Sequence, residues 1–204
     1  MSSGGAPLQF VPALPPEEVA RANFYGLCAR LLYAPPDAAL LEAIAGADEI
    51  HGDDGGMALA WRDLARAAAS TTPEAAREAY ESAFVGTGKA PVTLYTSAYS
   101  VRYTNEVPLV ELRADLAALG LARRAEVGEP EDHIAALCDV MRYLITERKE
   151  DLAAQKRFFE RWIWPTVPPL CSAIAISENA AFYKAAAGLL FKLCTIEHSA
   201  FELF

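Results

Sequence analysis

Apolar residues recur along this chain at steps of three and four, the period that gives an α-helix one buried face. Phe24, Leu27, Cys28, Leu31 and Leu32 predict a first helix beginning near Glu17. Pro35-Pro36 ends it, because the residue before a proline is pushed out of the helical region. Leu40, Leu41 and Ile44 predict a shorter second helix that stops near Gly46, followed by an acidic, glycine-bearing loop over 48–56 with an exposed His51. Leu59, Trp61, Leu64 and Ala68 predict a third helix from Met57. Thr71-Thr72-Pro73-Glu74 then supplies cap, proline and acid in the order that starts a fourth, which runs to about Val85.

Beyond a long connection, Leu109, Leu112, Leu116 and Leu119 predict a fifth helix ended by Gly120. The next segment, residues 126–133, concentrates acid, a proline and a rare histidine ahead of another apolar run, Ile134, Leu137, Cys138, Met141, Leu144 and Ile145. Pro130 suits the first position of that helix, where its missing N–H is not needed, and Glu131 and Asp132 then fall in the first turn, where the helix dipole favours carboxylates. Leu152, Phe158, Phe159, Trp162 and Ile163 mark a helix over 151–164, and Pro165, Pro168 and Pro169 bend the path. One or two turns are expected over 170–176, and a last helix from Glu178 or Asn179 through Phe182, Ala186, Leu189, Leu190 and Leu193. Period-two runs are absent, so the expected fold is all-α: a single helical domain over 17–204 with roughly eight to ten helices and a long central loop at 86–108. Residues 1–16, rich in glycine and proline, read as a flexible N-terminal arm.

Composition narrows the function. With 53% hydrophobic residues a real core can form, and a net charge of −9 excludes nucleic acid as a main partner and suits a basic one. Cys28, Cys138, Cys171 and Cys194 lie far apart among apolar neighbours, as buried free thiols do, and no paired spacing suggests zinc. The first residues lack the basic and apolar regions of a secretory signal, and no apolar run is long enough to span a bilayer. The cytoplasm is the expected compartment, with no stable membrane insertion.

Candidate chemistry is sparse. Gly86-Thr-Gly88-Lys89 approaches a phosphate loop, but that motif needs glycine where Ala83 stands and serine or threonine where Ala90 stands. Tyr95, Tyr99 and Tyr103, spaced by four, either line a groove or pack the loop onto helices, and Tyr80 and Phe84 are either core or a ligand platform. No Glu-x-x-His pair for a di-metal bundle and no nucleophile elbow appears, so neither a metal, nor a cofactor, nor a catalytic residue is expected.

Three stretches in order carry a resemblance. Glu129-Pro130-Glu131-Asp132-His133 is one. The others are the run from Tyr80 through Phe84-Val-Gly86 into Leu94-Tyr95-Thr96-Ser97-Ala98-Tyr99, and Phe158-Phe159 before Pro165. Together with Arg21-Ala-Asn-Phe-Tyr-Gly-Leu and Pro35-Pro36-Asp37, they resemble the TorD/DmsD/NarJ family of maturation chaperones for molybdenum-containing oxidoreductases. The resemblance implies an all-helical chaperone that is not an enzyme and that binds the twin-arginine signal peptide and apo form of a molybdoenzyme catalytic subunit until its cofactor is inserted. Carried over by motif position, the implied peptide-binding residues are Tyr80, Phe84, Leu94, Tyr95, Pro130, Asp132 and His133. An arginine pair presents planar forks that an acid such as Asp132 can accept, with aromatics of the long loop taking the apolar part of the peptide. The other readings are a nucleotide-dependent switch or enzyme using Gly86–Lys89, and a structural oxidoreductase subunit. The long loop leaves a monomer and a domain-swapped dimer both open.

Overall fold

Prolines and short polar caps set most of the helix starts. The computed structural model describes residues 14–51, 56–86, 90–100, 108–124, 128–148 and 152–204. Among the described residues the chain forms ten α-helices, and the only strand-like pairing is one isolated bridge. Helix α1 (Pro16–Tyr33) opens on its proline with Glu17 and Glu18 in the first turn. Asp37 caps α2 (Ala38–Ala45), its carboxylate accepting from Leu40 N at 2.8 Å. After α3 (Met57–Ala69), the Thr72 hydroxyl accepts from Ala75 N at 3.2 Å to start α4 (Pro73–Tyr80).

Helix α4 widens into a π turn over Glu81–Val85, closed by Gly86 at φ 63°, a backbone state that glycine adopts without strain. The loop that follows contains a one-turn helix, α5 (Ser97–Ser100), before α6 (Pro108–Ala118), which ends at Gly120 with φ 72° as its spacing implied. Helix α7 (Ile134–Tyr143) and helix α8 (Leu152–Phe158) each run into a further π turn, Leu144–Arg148 and Phe159–Ile163. Then come α9 (Val167–Ile176), a 3₁₀ turn over Glu178–Ala180, and α10 (Tyr183–Glu202).

Four local expectations change. The helix expected to open on Pro130 starts at Ile134 with His133 as its cap, so Glu131 and Asp132 stand in the turn before it. The physical reason is that residues 132 and 134 are bonded across to the long loop. The stretch after Pro165 is a ten-residue helix, because Pro168 and Pro169 sit in its first turn where no N–H is needed. The last helix begins at Tyr183. Leu59 is 51% exposed and lies off the core face of α3. Most of the N-terminal arm (1–13), Lys89, Tyr103 and Glu126 lie outside the described residues.

The core gathers where α1 lies along α7, with α10 against α3, α9 and α1. Tyr25, Leu137, Met141, Phe159 and Leu190 are fully buried there. At Gly26 the two long helices come close enough that a Cβ would stand 3.0 Å from Arg142 Cδ. One charged network crosses this core. The Arg21 guanidinium donates to both oxygens of Glu197 at 2.7 Å and to Gln155 at 3.1 Å, and the Tyr25 hydroxyl donates to Glu197 at 3.2 Å, tying α1, α8 and α10. The four cysteines are buried free thiols. Burial pushes Cys28 and Cys171 up to about 12, so neither is a nucleophile at neutral pH.

Candidate functional site

The site begins with backbone. Residues 94–97 and 129–134, far apart in sequence, meet through the antiparallel bridge between Tyr95 and His133. Ile134 N donates to Leu94 O at 2.9 Å and Thr96 N to Asp132 O at 2.8 Å, so the loop closes directly onto the start of α7. The Asp132 carboxylate turns inward and accepts from Ser97 N at 3.3 Å, at the start of α5, and only 5% of the residue is exposed. His133 Nδ1 accepts from Ala135 N at 3.2 Å, which makes the imidazole the cap of α7.

Aromatic rings gather around this bridge. Tyr95 meets the His133 ring edge-on at 5.4 Å and Tyr33 meets it at 6.3 Å. The Tyr95 phenol donates a short hydrogen bond to the Glu129 carboxylate. Next to them the Tyr80 hydroxyl donates to Leu32 O and Tyr33 O at 3.2 and 2.9 Å. Those carbonyls end α1 and have no partner within the helix, so Tyr80 fixes the α1 terminus to the α4 surface. Behind Tyr80, Phe84 and the buried Tyr183 complete an edge-to-face trio at 5.0 to 5.5 Å. On its outer side lies an open cavity of about 960 Å³ bounded by Pro35, Arg77, Glu81, Val85, Pro91 and Asn179.

The three carboxylates of the motif differ in their surroundings. Glu131 is held by Arg113 at 3.0 Å and Arg123 at 3.6 Å, and the Arg113 hydrogen bond keeps its carboxyl below the usual range. Asp132 is committed to the Ser97 backbone. Glu129 is only partly buried and bonds a neutral phenol, and that bond, with burial second, pushes the Tyr95 hydroxyl up to about 12. Burial followed by the Glu129 charge pushes Tyr80 up to about 12 as well, which puts Glu129 within electrostatic reach of both tyrosines. Burial lowers the pKa of His133, outweighing the nearby Glu129 and Asp132, so its ring is neutral at pH 7, as an acceptor at Nδ1 requires.

The structure therefore brings Tyr80, Phe84, Leu94, Tyr95, Pro130, Asp132 and His133 to one end of α7, but in two layers. Leu94, Phe84, Asp132 and His133 are buried, while Tyr80, Tyr95 and Pro130 are partly exposed. Asp132 is buried and bonded to Ser97 N rather than held in a first helical turn, because the helix starts at Ile134, four residues beyond the expected Pro130. Glu129, which precedes the helix and is not among the residues expected to bind, is the acid of the motif that is partly exposed and bonded to a phenol. Tyr33, 51% exposed, and Tyr183 were missed too. Only the paired prolines after Tyr33 hinted that a helix end stands there. Among the described residues no cluster of three histidine, cysteine or acidic side chains could hold a metal ion. No helix among them is long and apolar enough to cross a membrane. Thr87 to Lys89 of the glycine-bearing loop lie outside the described residues.

A family model described as the nitrate reductase delta subunit matches residues 51–172, which hold the bridge, the tyrosine loop and the acidic turn. The chain belongs to this family. The chaperone protein TorD of Photobacterium profundum is 26% identical over 125 residues, covering 56% of this chain and 58% of that protein's length. The TorD/DmsD/NarJ resemblance read from the sequence thus stands as family membership. The match takes in every residue of the two layers from Tyr80 to His133, Glu129 among them, whereas Tyr33, Tyr183 and all of α10 lie outside it.

Proposed function

We propose that this protein is a cytoplasmic maturation chaperone that holds the twin-arginine signal peptide of an apo-molybdoenzyme while its cofactor is inserted, and that it has no catalytic activity of its own. The observation that carries this reading is Glu129, a surface acid in a family motif whose described bond is to a phenol rather than to a cation. A guanidinium laid on Glu129 would gain a charge-assisted hydrogen bond, and the Tyr95 and Tyr33 faces beside it suit a planar cation. The cavity next to Tyr80 and Val85 then receives the apolar stretch that follows the arginines. Burial of that stretch supplies most of the affinity and the acid sets register and encounter rate. Leu94, Asp132 and His133 act from behind, by holding the bridge that sets Tyr95 against Glu129.

Titration calorimetry tests this directly. A peptide carrying the arginine pair should bind, its lysine-pair counterpart should bind more weakly, and Glu129→Gln should lose about ten- to hundredfold in affinity, the worth of about 1.5–3 kcal/mol for a hydrogen bond to a charged group. Equal binding of both peptides to both proteins would remove the proposed site. A second reading, a structural oxidoreductase subunit, is favoured by the family model's own description. It predicts stable co-purification with the mature enzyme, where the chaperone reading predicts release after maturation.

A further inference from the structure

The outer face of α10 takes no part in this site and lies beyond the matched residues 51–172. Along it run Lys184, Gly188, Phe191, Thr195, Ser199 and Glu202, a seam at steps of three and four, all exposed except the partly exposed Thr195. Phe191 is 42% exposed at its middle, and the space around Gly188 is open, with no atom within 4 Å of where a Cβ would stand. Lys184 and Glu202 are about five turns apart, so they lie on one line of the helix at its two ends, ~27 Å from each other. Glu202 remains 66% exposed although His198 approaches it at 3.6 Å.

We propose that this seam pairs antiparallel with the same seam of a second copy of the chain. A two-fold axis near Leu193 brings Lys184 opposite Glu202 of the second copy, and Glu202 opposite its Lys184. The same axis lays each Phe191 against Thr195 of the other helix. Such a contact is isologous, so one patch must complement itself, and opposite charges at the two ends of an otherwise uncharged seam achieve that. The requirement is strict here, because a chain of net charge −9 repels its own copies wherever carboxylates would meet. The helix is ~30 Å long and ~10 Å wide, so its outer face offers on the order of 300 Å² per copy. That falls below the ~800 Å² per partner of a stable complex, so the dimer is weak and concentration-dependent, and it needs no exchange of the 86–108 loop.

Sedimentation velocity of the full chain from about 1 to about 500 μM tests the proposal, with circular dichroism melts to confirm that each variant folds. The wild type should pass from monomer to dimer across that range, and Phe191→Asp should stay monomeric. Lys184→Glu and Glu202→Lys should each raise the dissociation constant about tenfold, since each sets like charges at both symmetric contacts. The double exchange K184E/E202K should return it to near the wild-type value. A wild type that stays monomeric throughout would overturn the proposal. So would a dimer indifferent to Phe191→Asp and to the charge exchange, as a loop-swapped dimer would be.

Discussion

Two carboxylates, Glu197 in the core and Glu129 at the bridge, both accept from a tyrosine hydroxyl, and they differ in what else they hold. Glu197 is 4% exposed, grips Arg21 with both oxygens at 2.7 Å and also takes the Tyr25 hydroxyl. Arg21 in turn reaches Glu18 and Gln155. Burial alone would lower the pKa of that guanidinium, yet the bonds to Glu197 and Glu18 outweigh it and hold the charge more firmly than in water. Glu129 is partly exposed, and its described bond is to the Tyr95 phenol. A neutral donor positions an anion without neutralising it. The lesson is that an acid already carrying its arginine is structure, while an acid oriented by a phenol is still able to take one.

The largest expected effect follows from breaking the closed member of this pair. Arg21→Met should cost ~3–5 kcal/mol of unfolding free energy, because it leaves Glu197 buried with its charge unmatched. Urea unfolding would measure it as a lower midpoint at unchanged slope. Glu129→Gln should change stability by less than ~1 kcal/mol in the same experiment, since an amide oxygen still accepts from Tyr95, and its whole cost should appear in peptide binding. Equal destabilisation by the two substitutions would mean that the two acids play the same part.

Much of this contrast was legible in the sequence as elements and little of it as partners. Apolar spacing announced α1 and α2, Thr72-Pro73-Glu74 the start of α4 and Gly120 the end of α6, because such residues act on their own neighbours. The π turns were not visible, since Glu81–Val85 and Phe159–Ile163 have ordinary helical composition and only packing widens them. The acidic turn is legible in the sequence as a place but not in its detail. Helix-start rules put Pro130 at the first position, and they know nothing of the bonds from Thr96 N to Asp132 O and from Ile134 N to Leu94 O that hold Asp132 in a turn and His133 extended. Arg21 and Glu197 are too far apart in sequence for any spacing rule to pair them.

A middle-sized effect separates the bridge from the core by pH. The folded protein holds His133 below its ordinary value of 6.5, chiefly through burial. As pH falls through about 6.5 the unfolded chain takes up a proton that the folded one refuses, so stability is present above that pH and is lost below it. Protonation also removes the Nδ1 acceptor that caps α7, a contribution of about 1 kcal/mol. Urea midpoints at pH 7.5 and pH 5.5 should therefore differ more for the wild type than for His133→Asn, whose side chain caps without titrating.

The smallest expected effect is the sharpest, because it concerns the acid that the motif alone would nominate. Asp132 is 5% exposed and spends an oxygen on Ser97 N at 3.3 Å. In Asp132→Asn the amide oxygen can accept that same N–H, so unfolding free energy should move by less than ~0.5 kcal/mol and peptide affinity by less than about threefold. Asp132→Ala should instead cost ~1 kcal/mol, by leaving the partly buried Ser97 N–H without its acceptor at the start of α5, with affinity falling only as Tyr95 loosens from Glu129. Should Asp132→Asn weaken the arginine peptide as much as Glu129→Gln does, the buried charge would be acting on the ligand through the turn. Openness would then not be what separates a recognising acid from a structural one.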